Sequence, residues 1–160
     1  KGQLLTRGYL VMKGYWNDTK FTSDAIHDGW MHTGDLATID AEGYCQITGR
    51  AGDMLIRGGE NIYPAEVENA LFDHVAVGDV AVIGVPDDKW GEAVKAVVVL
   101  KPGATATEED LIAHTRSKIA GYKIPKSIDF TDTLPRNPTG KLLKRELRKP
   151  YWQSKNRQIN

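Results

Sequence analysis

The sequence has a single cysteine, Cys45, among 160 residues, so it can hold no internal disulfide, and no metal-ligand spacing surrounds that thiol. Such cysteine usage fits a reducing cytoplasm. No run of apolar residues approaches the roughly 18 that a membrane-crossing helix needs. The first residues, Lys1-Gly2-Gln3-Leu4-Leu5-Thr6-Arg7, lack the long apolar stretch of a secretory signal. Internal repeats and low-complexity tracts are absent. Net charge is missing too, with 21 Lys+Arg against 21 Asp+Glu. The 41% hydrophobic content nevertheless supplies a core and excludes disorder as the main state. The length admits one medium domain, or a small domain with part of another.

The balance of charge hides an asymmetry. Residues 1–117 carry 10 basic and 18 acidic side chains, whereas residues 118–160 carry 11 basic and 3 acidic. A cationic C-terminal quarter points either to an anionic partner or to a solubilising tail.

Residues 1–49 read as short strands and turns. Tyr9-Leu10-Val11-Met12 is a strand candidate, and residues 36–39 and 44–47 form a hairpin across Asp40-Ala41-Glu42-Gly43. From residue 54 the pattern changes to alternating strands and helices. Residues 54–56 are a short strand ending at Gly58-Gly59. Pro64 suits the first turn of a helix reaching Phe72. Residues 80–85 and 93–100 are β-rich and joined by a turn at Pro86-Asp87-Asp88. Thr107, followed by Glu108, Glu109 and Asp110, caps a helix expected to reach Ala120 and stop at Gly121. Residues 127–131 give another strand and residues 142–148 a final helix. The pattern is that of an α+β module of about 100 residues.

Three constellations carry possible chemistry. In Gly29-Trp30-Met31-His32-Thr33-Gly34-Asp35, followed by Gly49-Arg50, the carboxylate suits bidentate acceptance from a vicinal diol, or else caps a turn. In Ile56-Arg57-Gly58-Gly59-Glu60-Asn61-Ile62-Tyr63-Pro64-Ala65-Glu66-Val67-Glu68 the paired glycines permit either close approach to a ligand or a hairpin turn. In Leu134-Pro135-Arg136-Asn137-Pro138-Thr139-Gly140-Lys141-Leu142 a lysine in a Pro-rich loop reads as a mobile point charge able to reach a phosphate, or as an exposed helix-start residue. It is no Walker-type loop, which needs Gly where Pro135 sits and Ser or Thr where Leu142 sits.

In order and wording, these three together resemble the C-terminal portion of the adenylate-forming superfamily, which includes acyl-CoA synthetases, peptide-synthetase adenylation domains and firefly luciferase. The resemblance runs from about Gly2 to Lys149. It implies an α+β fold: a small C-terminal lid domain with a central sheet and packed helices over residues 54–160, preceded by a hinge at 50–53. Residues 1–49 are then a β-rich remnant of the large N-terminal AMP-binding domain. By the same resemblance, Asp35 holds the ATP ribose with help from Arg50, and Lys141 is the adenylation lysine. Gly52 is the hinge residue, where relatives usually carry Asp or Lys. Gly58, Gly59 and Glu60 line the pantetheine channel, and Trp90, Tyr122, Lys123 and Lys126 lie near the CoA nucleotide. The Gly-Gly-Glu-Asn-Ile-Tyr-Pro wording is similar to fatty-acyl and aryl-CoA ligases, favouring CoA over a carrier-protein thiol.

The resemblance thus implies a carboxylic acid–CoA ligase using ATP with Mg²⁺, with no metal ligand in this segment. The phosphate loop, the Mg²⁺ site and the acyl pocket are expected upstream of Lys1, so the chain reads as a fragment, inactive alone. Residues 150–160, with Tyr151-Trp152 and Arg157, read as a natural terminus. A non-catalytic interaction module retaining the lid fold is the alternative. A homo-oligomer is compatible with the sequence. Nucleic-acid binding is disfavoured by dispersed lysines and the absence of a reader motif.

Overall fold

The computed structural model describes residues 1–153, and Arg157 of the expected terminus lies outside them. The chain divides into two units, Lys1–Gly52 and a second beginning at Asp53. Among the described residues no helix is long and apolar enough to cross a membrane.

The first unit is an antiparallel sheet around one long central strand. That strand, β3 (Trp30–Ile39), pairs along one edge with β1 (Gly2–Thr6). Its other edge is shared by β2 (Ile26–His27) and β4 (Cys45–Arg50). A short helix, α1 (Thr19–Ala25), is capped by Asp18, whose carboxylate accepts from the Phe21 N–H at 2.8 Å. The expected strand at Tyr9-Leu10-Val11-Met12 is instead a turn, in which the Val11 N–H donates to the Gly8 carbonyl. No neighbouring strand covers it, and Tyr9 and Leu10 are 96% and 85% exposed. Ala37 is the only buried apolar residue of this unit. The sheet is therefore held by its ladders rather than by a core.

The second unit has a core on both faces of a three-stranded sheet. The hairpin β5 (Leu55–Arg57) and β6 (Glu60–Ile62) precedes helix α2 (Pro64–Phe72), with Pro64 at its first turn as expected. Strands β7 (Val77–Asp87) and β8 (Gly91–Leu100) pair antiparallel along their whole length. Helix α3 (Glu108–Arg116) then crosses over to β9 (Ser127–Phe130), which lies parallel to β8. Val80, Val82, Val94, Ala96, Val98 and Ile128 face α2 and α3, meeting Val67, Leu71 and Leu111. Ala81 and Val97 face the other way, toward Leu134, Leu142 and Leu147 of the C-terminal segment. Covering both faces explains why β7 and β8 read as near-continuous apolar runs. Each fully buried Val or Leu here contributes about 1.5–3 kcal/mol.

Several element ends differ from those expected. β7 runs through Asp87, so the turn into β8 lies at residues 88–90 rather than at Pro86. Thr107 caps α3 in a reciprocal box with Asp110, but the helix ends at Arg116 instead of Ala120. Thr115 and Ser117 hydroxyls donate back to the Ile112 and His114 carbonyls, each at 2.8 Å, and compete with continued helix. The last helix, α4 (Lys144–Trp152), starts late and runs past Pro150. Its start is delayed because the Leu143 N–H donates to the Pro135 carbonyl. Its end is held through tertiary bonds: Tyr151 Oη to Asp129 at 2.7 Å and Trp152 Nε1 to the Gly84 carbonyl at 3.0 Å. These outweigh the backbone bond lost at proline.

Where α2 meets α3, the His74 and His114 rings pack edge to face, 5.0 Å apart. His114 Nε2 is shielded from water with no partner among the described residues. Burial, then the nearby Lys118 and His74 charges, push the His114 pKa below its usual 6.5. The unfolded chain therefore binds a proton at His114 that the folded chain refuses, so stability falls as pH drops below 6.5 toward the lowered value. Unfolding free energies measured by urea titration at several pH values are expected to show this slope, and His114→Leu to flatten it. An unchanged slope in the variant means that other groups set it.

Candidate functional site

In the first unit, Asp35 and Arg50 stand opposite each other in the β3–β4 register, with Arg50 Nε 3.2 Å from Asp35 Oδ1. The β1–β3 pairing skips across Thr33-Gly34-Asp35, a bulge that the sequence reading did not foresee. Thr33 stitches it, donating its hydroxyl to the Leu4 carbonyl at 2.8 Å and accepting from the Asp35 N–H at 3.1 Å. Gly34 has φ +76, and a Cβ there would lie 3.2 Å from Arg50 Nη2, which donates to the Thr33 carbonyl. The Thr-Gly-Asp triplet thus aims a half-exposed carboxylate and fixes its arginine neighbour. Gly52 closes this unit, and a Cβ there would meet nothing within 4 Å, so no packing requires a glycine.

In the second unit, Lys141 sits with an exposed side chain on a loop whose backbone is tied by hydrogen bonds. Asn137 organises it. Its side-chain oxygen accepts from the Thr139 N–H at 3.1 Å, the Thr139 hydroxyl at 2.8 Å and the Lys141 N–H at 2.8 Å. The Asn137 N–H donates to the Lys141 carbonyl, and the Gly140 N–H to the Asn137 carbonyl, both at 2.9 Å. Gly140 takes φ +85, the left-handed conformation that the closed ring requires. The Asn-Pro-Thr-Gly run was the available signal, because asparagine favours such turns.

The charge asymmetry is largely resolved inside this unit. Lys118, Lys123, Lys126, Arg136, Lys144 and Arg148 pair respectively with Asp73, Glu66, Asp87, Asp79, Glu68 and Asp53. Arg145 and Lys149 share Glu146. Among the described basic residues from 118 onward, only Lys141 has no ion-pair partner, and its side chain is exposed.

A second cluster lies at the far end of the β7–β8 hairpin. Gly58 and Gly59 form the β5–β6 turn with φ +58 and +88. The indole of Trp90 covers Gly58, where a Cβ would come within 2.6 Å of the ring, and the Gly58 N–H donates to the Trp90 carbonyl. Gly58 is thus required by Trp90, while the space over Gly59 is open. Glu60 is exposed opposite Arg57, which donates to the Tyr122 carbonyl at 2.7 Å. Trp90 and Tyr122 are 44% and 40% exposed, so neither is a core residue. The lysines expected to meet phosphates already have partners. Lys123 lies 2.6 and 2.8 Å from the Glu66 oxygens, which raise its pKa. The Lys126 ammonium, with the Trp90 N–H, holds the Asp87 carboxyl down at about 2.

These groups divide along one strand. The Lys141 loop is tied to Asp79 near the start of β7, and the Trp90 cluster to Asp87 at its end. Eight residues of extended chain separate the two by roughly 25 Å. Among the described residues no three His, Cys, Asp or Glu side chains gather as a metal site.

Residues 66–141 match the AMP-binding enzyme C-terminal domain. A feruloyl-CoA synthase from Amycolatopsis is 50% identical over 94% of this chain and 31% of its own length. A putative acyl-CoA synthetase of Bacillus subtilis, YngI, is 54% identical over 92% of the chain and 27% of its own length. Among solved structures, the o-succinylbenzoate CoA synthetase MenE of Bacillus subtilis, in complex with its acyl-adenylate intermediate, aligns with a TM-score of 0.86 and 37% identity. It covers 99% of this chain, which spans 31% of that protein. The chain spans less than a third of the length of these relatives. Motifs, fold and similarity agree: residues 66–141 belong to the AMP-binding enzyme C-terminal domain family, and the chain as a whole is similar to part of the acyl-CoA synthetases.

Proposed function

We propose that this chain is the part of an ATP-dependent carboxylic acid–CoA ligase that delivers the adenylation lysine and then the CoA-facing surface. The observation that carries this reading is Lys141, exposed and unpaired on a loop whose backbone is fixed. In the first half-reaction a carboxylate oxygen attacks the α-phosphorus of ATP and pyrophosphate leaves. Carboxylate and triphosphate repel each other, and a cation about 4 Å away at an effective dielectric of 20 is worth about 4 kcal/mol per unit charge. Lys141 meets that need in the transition state. Asp35 accepts from the two ribose hydroxyls, and Arg50 orients its carboxylate.

In the second half-reaction the thiol sulfur of CoA attacks the acyl carbon, AMP leaves and the thiol proton passes to solvent. Residues 58–60, Trp90, Tyr122, Lys123 and Lys126 then face the nucleotide and pantetheine. For the lysines this means exchanging Glu66 and Asp87 for phosphate. The 25 Å between the two clusters supports their use in turn rather than together, with Gly52 as the pivot. Mg²⁺ is assigned to residues outside this chain. Retention of Asp35, Arg50 and Lys141 together speaks against a purely structural module, since none of them packs in the core.

In the complete polypeptide that carries this segment, Lys141→Ala should lower ATP–pyrophosphate exchange by on the order of 100-fold or more. Thioester formation from a supplied acyl-adenylate should persist, and equal loss in both half-reactions would mean that the lysine is misassigned. Trp90→Ala should raise the KM for CoA by about 3- to 10-fold, the range for losing one aromatic packing partner, and leave pyrophosphate exchange unchanged. An unaltered KM for CoA would leave Trp90 only as the cover of Gly58.

A further inference from the structure

Arg136 makes two bonds that differ in what they hold. Its Nη2 lies 2.7 Å from Asp79 Oδ2 on β7, and its Nη1 donates to the Gly140 carbonyl at 2.9 Å. One guanidinium thus ties a strand of the buried sheet to the peptide immediately before Lys141. The Asp79 end is itself fixed, because its other oxygen accepts from the Val80 N–H at 2.9 Å. Downstream of Lys141, Lys144 reaches Glu68 at 2.6 Å, and Glu68 also accepts from the Val82 N–H at 2.8 Å. The loop therefore has a strut on each side, both ending at β7. Arg136 is half-exposed, so its fork is not needed for burial.

We propose that Arg136 is a positioning residue for Lys141, a strut that holds the loop at the geometry in which the lysine is delivered to the reacting phosphate. This rests on the assignment of Lys141 as the adenylation lysine. A planar fork can satisfy a carboxylate and a carbonyl together, whereas a lysine at the same position supplies a point charge without that shape. The strut also adds a tie to the sheet that the loop's own hydrogen bonds do not supply. The asparagine ring closes the loop on itself, and Arg136 fixes that ring to the sheet. Displacing a reacting group by about 1 Å costs on the order of 100-fold in rate, so loss of the strut acts on chemistry before it acts on folding.

The test compares Arg136→Ala, Arg136→Lys and Asp79→Asn in the complete polypeptide, with Lys141→Ala as reference. Arg136→Ala should slow pyrophosphate exchange by about 10- to 100-fold and spare thioester formation from a supplied acyl-adenylate. Asp79→Asn, which keeps the Val80 cap, should reproduce the effect, and Arg136→Lys should recover part of the rate. In the 160-residue chain, hydrogen exchange at the Lys141 amide should quicken in Arg136→Ala while the Val82 and Val98 amides keep their protection. Unchanged Lys141 exchange, or equal loss in both half-reactions, overturns the strut. If Arg136→Ala leaves adenylation intact while Lys141→Ala abolishes it, the strut fails and the assignment of Lys141 stands. If Lys141→Ala leaves adenylation intact, the functional reading fails, and the exchange result still decides whether Arg136 fixes the loop.

Discussion

The antiparallel pairing of β7 with β8 fixes nearly everything else in the second unit. Ten register pairs, from Val77 with Leu100 to Asp87 with Gly91, make a long two-stranded beam buried on both faces. Its stiffness comes from that double burial, since bending it opens one core or the other. Near one end, Asp79 receives the Arg136 strut, and at the other Asp87 receives Lys126 and caps the turn that carries Trp90. A spacer with different chemistry at each end fits the proposed use of two surfaces in succession at one centre.

Charge is organised around the same beam. The acidic residues at 53, 66, 68, 73, 79 and 87 are the partners of the basic residues at 118, 123, 126, 136, 144 and 148. The uneven division of charge along the chain is thus mostly internal complementarity, which closes the C-terminal quarter onto α2 and β7. The exposed ones, such as Lys118–Asp73, are worth about 0–1 kcal/mol each, whereas Lys144–Glu68 and Arg148–Asp53 are largely shielded from water; together they act on register and placement. Against that background an unpaired, exposed lysine carries information, and Lys141 is that residue.

Much of this was legible in the sequence. Pro64 and Thr107 mark helix starts through backbone rules that hold irrespective of context, and the apolar runs of β7 and β8 are visible because both faces are covered. The ends of α3 and α4 were not, because hydroxyl back-bonding and the anchoring of Tyr151 and Trp152 depend on three-dimensional neighbours. The site shows the same division. Asp35, Arg50 and Lys141 stand in recognisable motifs, but the partners that aim them are spread along the chain. Thr33 needs Leu4, Arg136 needs Asp79, and the requirement for Gly58 follows from Trp90. Lysines 123 and 126 read as free cations until Glu66 and Asp87 are placed beside them.

The central claim is that Lys141 reaches the adenylate on a preformed loop. The most direct measurement is a crystal structure of the complete polypeptide bound to a non-hydrolysable acyl-adenylate analogue. The account predicts Asp35 against the ribose hydroxyls and Lys141 Nζ within hydrogen-bond distance of the ribose–phosphate region. It also predicts that residues 136–142 keep the Arg136–Asp79 and Asn137 bonds described above. A lysine left in solvent in that adenylate-bound state, or a loop refolded to bring it in, would contradict the account.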